Sequence, residues 1–143
     1  MRPARAHEGP ALAALSEPFV RTGALRGRPL SFYAARTSDF LVAQAPDGAL
    51  EGCLGQRGST AGVLYNFCVA GHRQGSGIGS RLLHAAITRA RSRALPTLFT
   101  ATTGSGRLFL RHGFVPAHPG QGPSGWLQSL DPSRNARILT LNL

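Results

Sequence analysis

The sequence predicts a mixed α/β domain with the element order βααβββαβαββ, and three observations predict it. Short apolar runs rich in β-branched and aromatic residues, at 40–45, 63–70 and 95–102, are punctuated by Gly- and Pro-containing turns. Between them, Ile78, Leu82, Leu83, Ala86, Ile87 and Ala90 recur at the i, i+4, i+5, i+8 spacing of one helical face. Finally, the strand-like run at 63–70 feeds directly into VAGHRQGSGIGSRLL, where Gly75, Gly77 and Gly79 alternate with other residues just ahead of that helix.

Taken in order, RPAR within residues 1–6 predicts a short first strand. PALAALSEPFVRTGAL then carries apolar residues at loosely helical spacing, broken at Pro18, and Pro29 ends that region. FLVAQA at 40–45 and ALEGCLGQ at 49–56 read as two strands joined by Pro46-Asp47-Gly48, which supplies a fixed φ and a glycine for the turn. A second turn, GSTAG at 58–62, leads into VLYNFCVA at 63–70. That run is apolar on both faces, which predicts a central strand. After the helix, LPTLFTAT at 95–102 reads as a strand and GSGRLFLRH as a short helix stopped by Gly113. FVPA is the next strand, HPGQGPSG at 118–125 a loop, and ARILTLNL a last strand.

The chain has 143 residues, the size of one ordinary domain, so residues 1–143 are expected to form a single unit with its own core. Cys53 and Cys68 both lie in apolar strand-like runs, where free cysteine packs as a small hydrophobe, and no zinc-ligand spacing or disulfide framework is present. No segment approaches the roughly 18 consecutive apolar residues of a membrane span, and the first residues hold no continuous apolar signal core. The protein is therefore expected to be soluble and cytoplasmic, with no metal and no membrane partner.

A net charge of +10 ordinarily points to a polyanionic partner. All 16 basic residues are arginine, however, and they are scattered, with only Arg89, Arg91 and Arg93 clustered at the end of the helix. Aromatic-plus-basic stacking runs are absent, so a nucleic-acid-binding role ranks low.

Alternating glycines ahead of a helix suit a loop whose backbone N–H groups approach an anion. Three loop chemistries compete. A P-loop requires a lysine, and this chain has none. A dinucleotide fingerprint requires a third glycine where Ser80 stands and an acidic residue about twenty positions on, but no Asp or Glu occurs between Glu51 and Asp131. What remains is Gln74-Gly75-Ser76-Gly77-Ile78-Gly79, five residues after Val69 and opening a helix.

This Q-x-x-G-x-G stretch resembles the pyrophosphate loop of the GNAT superfamily of acetyl-CoA-dependent N-acetyltransferases. Leu108-Phe109-Leu110-Arg111-His112-Gly113-Phe114 resembles the same family's late L-Y-x-[KR]-x-G-F motif. With the hairpin ending in LEGCLG, the resemblance spans essentially the whole chain. It implies a mixed, mostly antiparallel central sheet flanked by helices. It also implies acetyl-CoA bound by Val69, Gln74, Gly75, Ser76, Gly77, Ile78, Gly79 and Ser80, with Thr102 and Phe109 beside the pantetheine. More narrowly, TATTGSGRLFLRHGF resembles small amino-acid acetyltransferases, including those found with arsenic-resistance genes.

The resemblance further implies that backbone at Cys68 and Val69, where the central strand splays, polarises the thioester carbonyl while an amine attacks it directly. At the family's usual acid, a tyrosine, this chain carries Phe109, which has no proton to donate; Thr102 and Ser105 are polar substitutes. Glu51, His72, His112 or water are the candidates for a base, with Glu51 preferred. Cys68 as an acetylated nucleophile is weighed against a buried core thiol, and the latter is favoured; His84 reads as a solvated helix residue. The six acidic residues leave little from which to build a polycation pocket, so the expected acceptor is a small amino-acid-like amine. A homodimer whose partner contributes acidic groups is allowed for. The rival readings are a non-catalytic acyl-CoA-binding module and a basic nucleic-acid-binding protein.

Overall fold

The computed structural model describes residues 1–118 and 120–143; Pro119, in the loop expected over 118–125, lies outside the described residues. Seven strands form one sheet in the order β1-β2-β3-β4-β5-β7-β6. They are β1 (Arg2–Pro3), β2 (Phe40–Gln44), β3 (Leu50–Arg57), β4 (Gly62–Val69), β5 (Thr97–Thr102), β6 (Val115–Pro116) and β7 (Arg137–Asn142). Every pairing is antiparallel except β4 with β5, and β4 occupies the centre, as its two apolar faces predict.

Helices α1 (Gly9–Arg21) and α2 (Leu30–Ala35) cover one face, where Leu12 and Tyr33 pack with Phe40, Val42, Cys53 and Cys68. Helix α3 (Ile78–Ser92) covers the other, burying Ile78, Leu82, Leu83, Ala86, Ile87 and Ala90, the residues whose spacing predicts it. Helix α4 (Arg107–Arg111) closes the same side, and Phe109 and Phe114 join the α3 core.

Two local expectations are corrected. Pro18 does not break α1: it falls in the final turn, where the absent N–H removes one hydrogen bond and the helix still closes through Thr22 N–H to Pro18 O at 3.3 Å. The last two residues of the loop expected over 118–125, with the stretch after it, fold instead into a further short helix, α5 (Ser124–Ser129), whose Trp126 packs 6.1 Å from Phe99 between ring centres. Six residues carry too little periodicity for α5 to be read from sequence.

The feature that makes room for a site lies in β4. Across the β3–β4 ladder, Cys53 pairs with Cys68 and Gly55 with Tyr65, so β4 carries one extra residue, a bulge. Asn66, with φ of 50°, sits in it. On its other side β4 pairs with β5 only over Gly62, Val63 and Leu64; beyond the bulge the two strands part.

Candidate active site

The parting of β4 and β5 opens two cavities. A cleft of about 510 Å³ is lined by Phe67, Cys68 and Val69 of β4, by Gln74 and Gly79, and by Thr102 at the end of β5. A cavity of about 490 Å³ reaches from the other direction, against Tyr65 and Asn66 of β4, the β3–β4 turn, and Trp126 of α5. Ala24, Leu25 and Thr103 line both, so the two meet between the end of α1 and the end of β5.

At the first cleft, the glycine loop is set up by backbone conformation. Gly75 and Gly77 have φ of 81° and 89°, and a Cβ on either would meet nothing within 4 Å. Glycine is needed there for the left-handed backbone, not to relieve crowding within the protein. Gly79 differs, because a Cβ on it would come within 3.2 Å of Leu108. The first helical bond of α3 runs from Arg81 N–H to Gly77 O at 3.0 Å, so the N–H groups of Ile78, Gly79 and Ser80 have no acceptor within the helix. They form the positive end of a fifteen-residue dipole. Gln74 ties the loop back to the strand by donating from Nε2 to Val69 O at 3.1 Å.

The ladder also distinguishes Cys68 from Val69. Ala70 N–H donates to Glu51 O on β3 at 2.8 Å, and antiparallel pairing alternates direction along the strand. Cys68 N–H therefore faces β3, while Val69 N–H faces the gap. The Cys68 thiol lies 3.7 Å from the Cys53 thiol in the α1-side core, and both cysteines are free. The Cys68 contact and burial push the Cys53 thiol well above the ordinary cysteine range.

The side chains of the other residues singled out by sequence are packed, hydrogen-bonded, ion-paired or exposed as follows. Ile78 and Phe109 are core side chains; the Phe109 ring stands edge-on to Phe67 and Phe114 at 5.7 and 5.3 Å. Glu51 lines neither cavity, and its carboxylate is in an ion pair with Arg73 Nε at 3.3 Å. His112 is fixed at both nitrogens: Nδ1–H donates to Leu108 O at 3.0 Å, leaving Nε2, 3.2 Å away, to accept from the Ser80 hydroxyl. Ser76 Oγ donates to Arg73 O, and Thr102 Oγ1 accepts from Gly104 N–H. Ser105 Oγ accepts from Arg107 N–H, a helix-start contact, while His72 and His84 are exposed.

Sequence reasoning missed the residues of the second cavity, above all Asn66, Tyr65, Arg28 and Trp126. A lone polar residue in an apolar strand was the available signal for Asn66. For Arg28 no local signal exists, because its role depends on what fails to pair with it.

A family model described as the acetyltransferase (GNAT) domain matches residues 36–116, from just ahead of β2 through β6 and including the glycine loop. The chain belongs to the GNAT acetyltransferases. Among solved structures, it is similar to N-acetylglutamate synthase from Neisseria gonorrhoeae complexed with coenzyme A and N-acetyl-glutamate. The TM-score is 0.91 and the identity 29%, over 99% of this chain and 34% of that one. This chain thus spans about a third of the synthase chain's length. It shares its fold with Rv2747 from Mycobacterium tuberculosis, solved in complex with CoA, at a TM-score of 0.82 and 23% identity, covering 99% and 98% of the two chains. The structure of yncA from Salmonella typhimurium with its cofactor acetyl-CoA has the same fold at a TM-score of 0.72 and 21% identity, over 99% and 92% of the two chains. A comparison with curated protein sequences returned no match. The arsenic-resistance subgroup is not shown by these GNAT relatives.

Proposed function

We propose that this chain transfers the acetyl group of acetyl-CoA to the amine of a small, amino-acid-like acceptor by direct attack. The observation that carries the reading is the meeting of two cavities at Ala24, Leu25 and Thr103, one leading to the glycine loop and the other open for a second reactant. Two reactants held end to end across that junction need no covalent enzyme intermediate.

Acetyl-CoA, when bound, supplies an activated acetyl thioester. The N–H groups of Ile78, Gly79 and Ser80 at the start of α3, without acceptors within the helix, suit its pyrophosphate, and the left-handed Gly75 and Gly77 form the turn that leads into them. Val69 N–H, directed into the gap, is the donor for the carbonyl oxygen on which charge develops during attack. The Neisseria synthase was solved with coenzyme A and an N-acetylated amino acid together, which supports the pairing of these two reactant classes.

Proton traffic is carried by solvent in this scheme. Asp131 is the one carboxylate among the described residues lining the acceptor cavity, and it already accepts from Ser133 N–H and hydroxyl at 3.0 and 2.7 Å. Glu51, the preferred base candidate, lines neither cavity and pairs with Arg73, so this scheme routes no proton through it. The acceptor therefore reacts as the neutral amine delivered from water, and the departing thiolate is protonated by water, since Phe109 offers no proton. A cytoplasmic monomer or homodimer serves this chemistry equally. The test is thiol release from acetyl-CoA across a panel of amines: turnover with at least one free amino acid is expected. Release with polyamines or aminoglycosides alone would reject the acceptor class.

A further inference from the structure

The second cavity gathers positive charge that the fold leaves unneutralised. Arg26, Arg28, Arg57 and Arg134 line it, against the single carboxylate of Asp131. Two of the four are committed to backbone: Arg26 Nη1 donates to Ser129 O and Arg134 Nη2 to Gly23 O, both at 3.1 Å. Arg57, at the end of β3, is exposed, and among the described residues its side chain makes no hydrogen bond or ion pair.

Arg28 is the unusual one. Its Nε is buried without a hydrogen-bond partner among the described residues. Its guanidinium lies 4.3 Å from the centre of the Phe32 ring and 5.5 Å from that of Tyr65. Arg36 approaches the same Phe32 ring at 4.2 Å and likewise has an unpartnered Nε. Burial lowers the Arg28 pKa, Arg26 and Arg36 push it the same way, and the neighbours that oppose them are the phenols of Tyr33 and Tyr65. The nearby carboxylate of Asp39 is engaged by the Tyr65 hydroxyl at 2.6 Å. A guanidinium held flat by aromatic rings keeps its donor edge free, and that edge matches a carboxylate bidentately.

We propose that Arg28 is the specificity anchor of the acceptor cavity, taking the side-chain carboxylate of a dicarboxylic amino acid while the exposed Arg57 takes its α-carboxylate. The assignment rests on the acetyl-transfer reading for the identity of the bound molecule as an acceptor. The anchoring chemistry itself rests on the unpaired guanidinium.

The experiment pairs activity with binding. In the parent protein, kcat/KM for glutamate is expected to exceed that for glutamine by roughly tenfold or more, since one charge-assisted hydrogen-bonded contact separates them. Arg28→Gln erases that preference, chiefly through KM, and leaves coenzyme A affinity by calorimetry unchanged. Arg28→Lys keeps the charge but lacks the planar fork, and recovers part of the preference. Calorimetry with glutarate and glutaramide on the coenzyme-free parent reads the anchor without turnover: glutarate binds and its diamide does not. Equal use of glutamate and glutamine by the parent, or equal binding of glutarate and glutaramide, overturns the anchor. Failure of coenzyme A to bind while glutarate still binds overturns the acetyl-transfer reading and leaves the anchor standing.

Discussion

Tyr33 donates from its hydroxyl to Asn66 Oδ1 at 3.1 Å, joining α2 to the bulge that bends the central strand away from β5. Asn66 Nδ2 donates in turn to Ser16 Oγ at 2.8 Å, and Ser16 back-bonds to Leu12 O at 2.8 Å inside α1. Cys53 adds a thiol contact to Asn66 O at 3.4 Å. Both polar atoms of the buried asparagine side chain are engaged, and asparagine tolerates the left-handed φ it adopts.

The opening between β4 and β5 therefore depends on this network. Tyr33→Phe removes one hydrogen bond and is expected to cost about 1 kcal/mol. Asn66→Ala strands Ser16 and Tyr33 and places a Cβ-only residue at positive φ, costing about 2–4 kcal/mol. Urea unfolding measures both. Asn66→Ala should also raise KM for acetyl-CoA, and an unchanged KM would separate the bulge from the cleft.

Gly77 distinguishes conformational strain from charge. Gly77→Ala meets no neighbour but carries the strain of a φ of 89°, about 1–2 kcal/mol, and should weaken coenzyme A binding modestly. Gly77→Asp adds a negative charge where the pyrophosphate would sit, and should abolish measurable binding by calorimetry. Parent-like affinity in the aspartate variant would place the cofactor elsewhere.

Cys68 contributes backbone and packing in this scheme, not a nucleophile. Cys68→Ala is expected to keep kcat within about threefold of the parent, because a buried thiol with no adjacent base is unreactive. A loss of several orders of magnitude, with the fold intact by circular dichroism, would make the thiol a reactant.

Phe109→Tyr introduces the hydroxyl that the family resemblance associates with the leaving thiolate. Turnover should be unchanged or higher. An intact fold with turnover eliminated would show that the three-ring packing with Phe67 and Phe114 cannot take the added group.

Acid stability should depend on Glu8. Its carboxylate accepts from Arg2 Nη1 and Nη2 at 2.7 and 2.9 Å and from Arg5 N–H at 2.7 Å, chiefly the Arg2 contact holding its pKa at about 2 against an ordinary 4.5. A depressed folded-state pKa stabilises fully above the unfolded value, so the contribution is present above pH about 4.5 and is lost as pH falls towards 2. Glu8→Gln should flatten the fall in thermal midpoint across that window; an identical pH profile would refute the assignment.

Much of this protein was legible along the chain. The face of α3 follows from spacing, the central position of β4 from its two apolar faces, and the glycine loop from residue types that alone accept left-handed backbone; each is a property of neighbours in sequence. Glu51 shows what local reading does not reach. Nothing in LEGCLG reveals that Arg73, beyond the next strand, pairs with its carboxylate. The bulge is decided by contacts over longer separations still, Tyr33 and Ser16 reaching Asn66 across 33 and 50 residues. Arg28 is a guanidinium whose meaning is the absence of a partner among the described residues in three dimensions. The chain by itself determined the order of the strands and of the helices up to α4, and the left-handed glycine loop ahead of α3, since periodicity and backbone φ are local energies. Only the tertiary structure decided where β4 parts from β5, which charges are neutralised and which are left facing the cavity, because those outcomes depend on burial and pairing between segments that sequence spacing does not bring together.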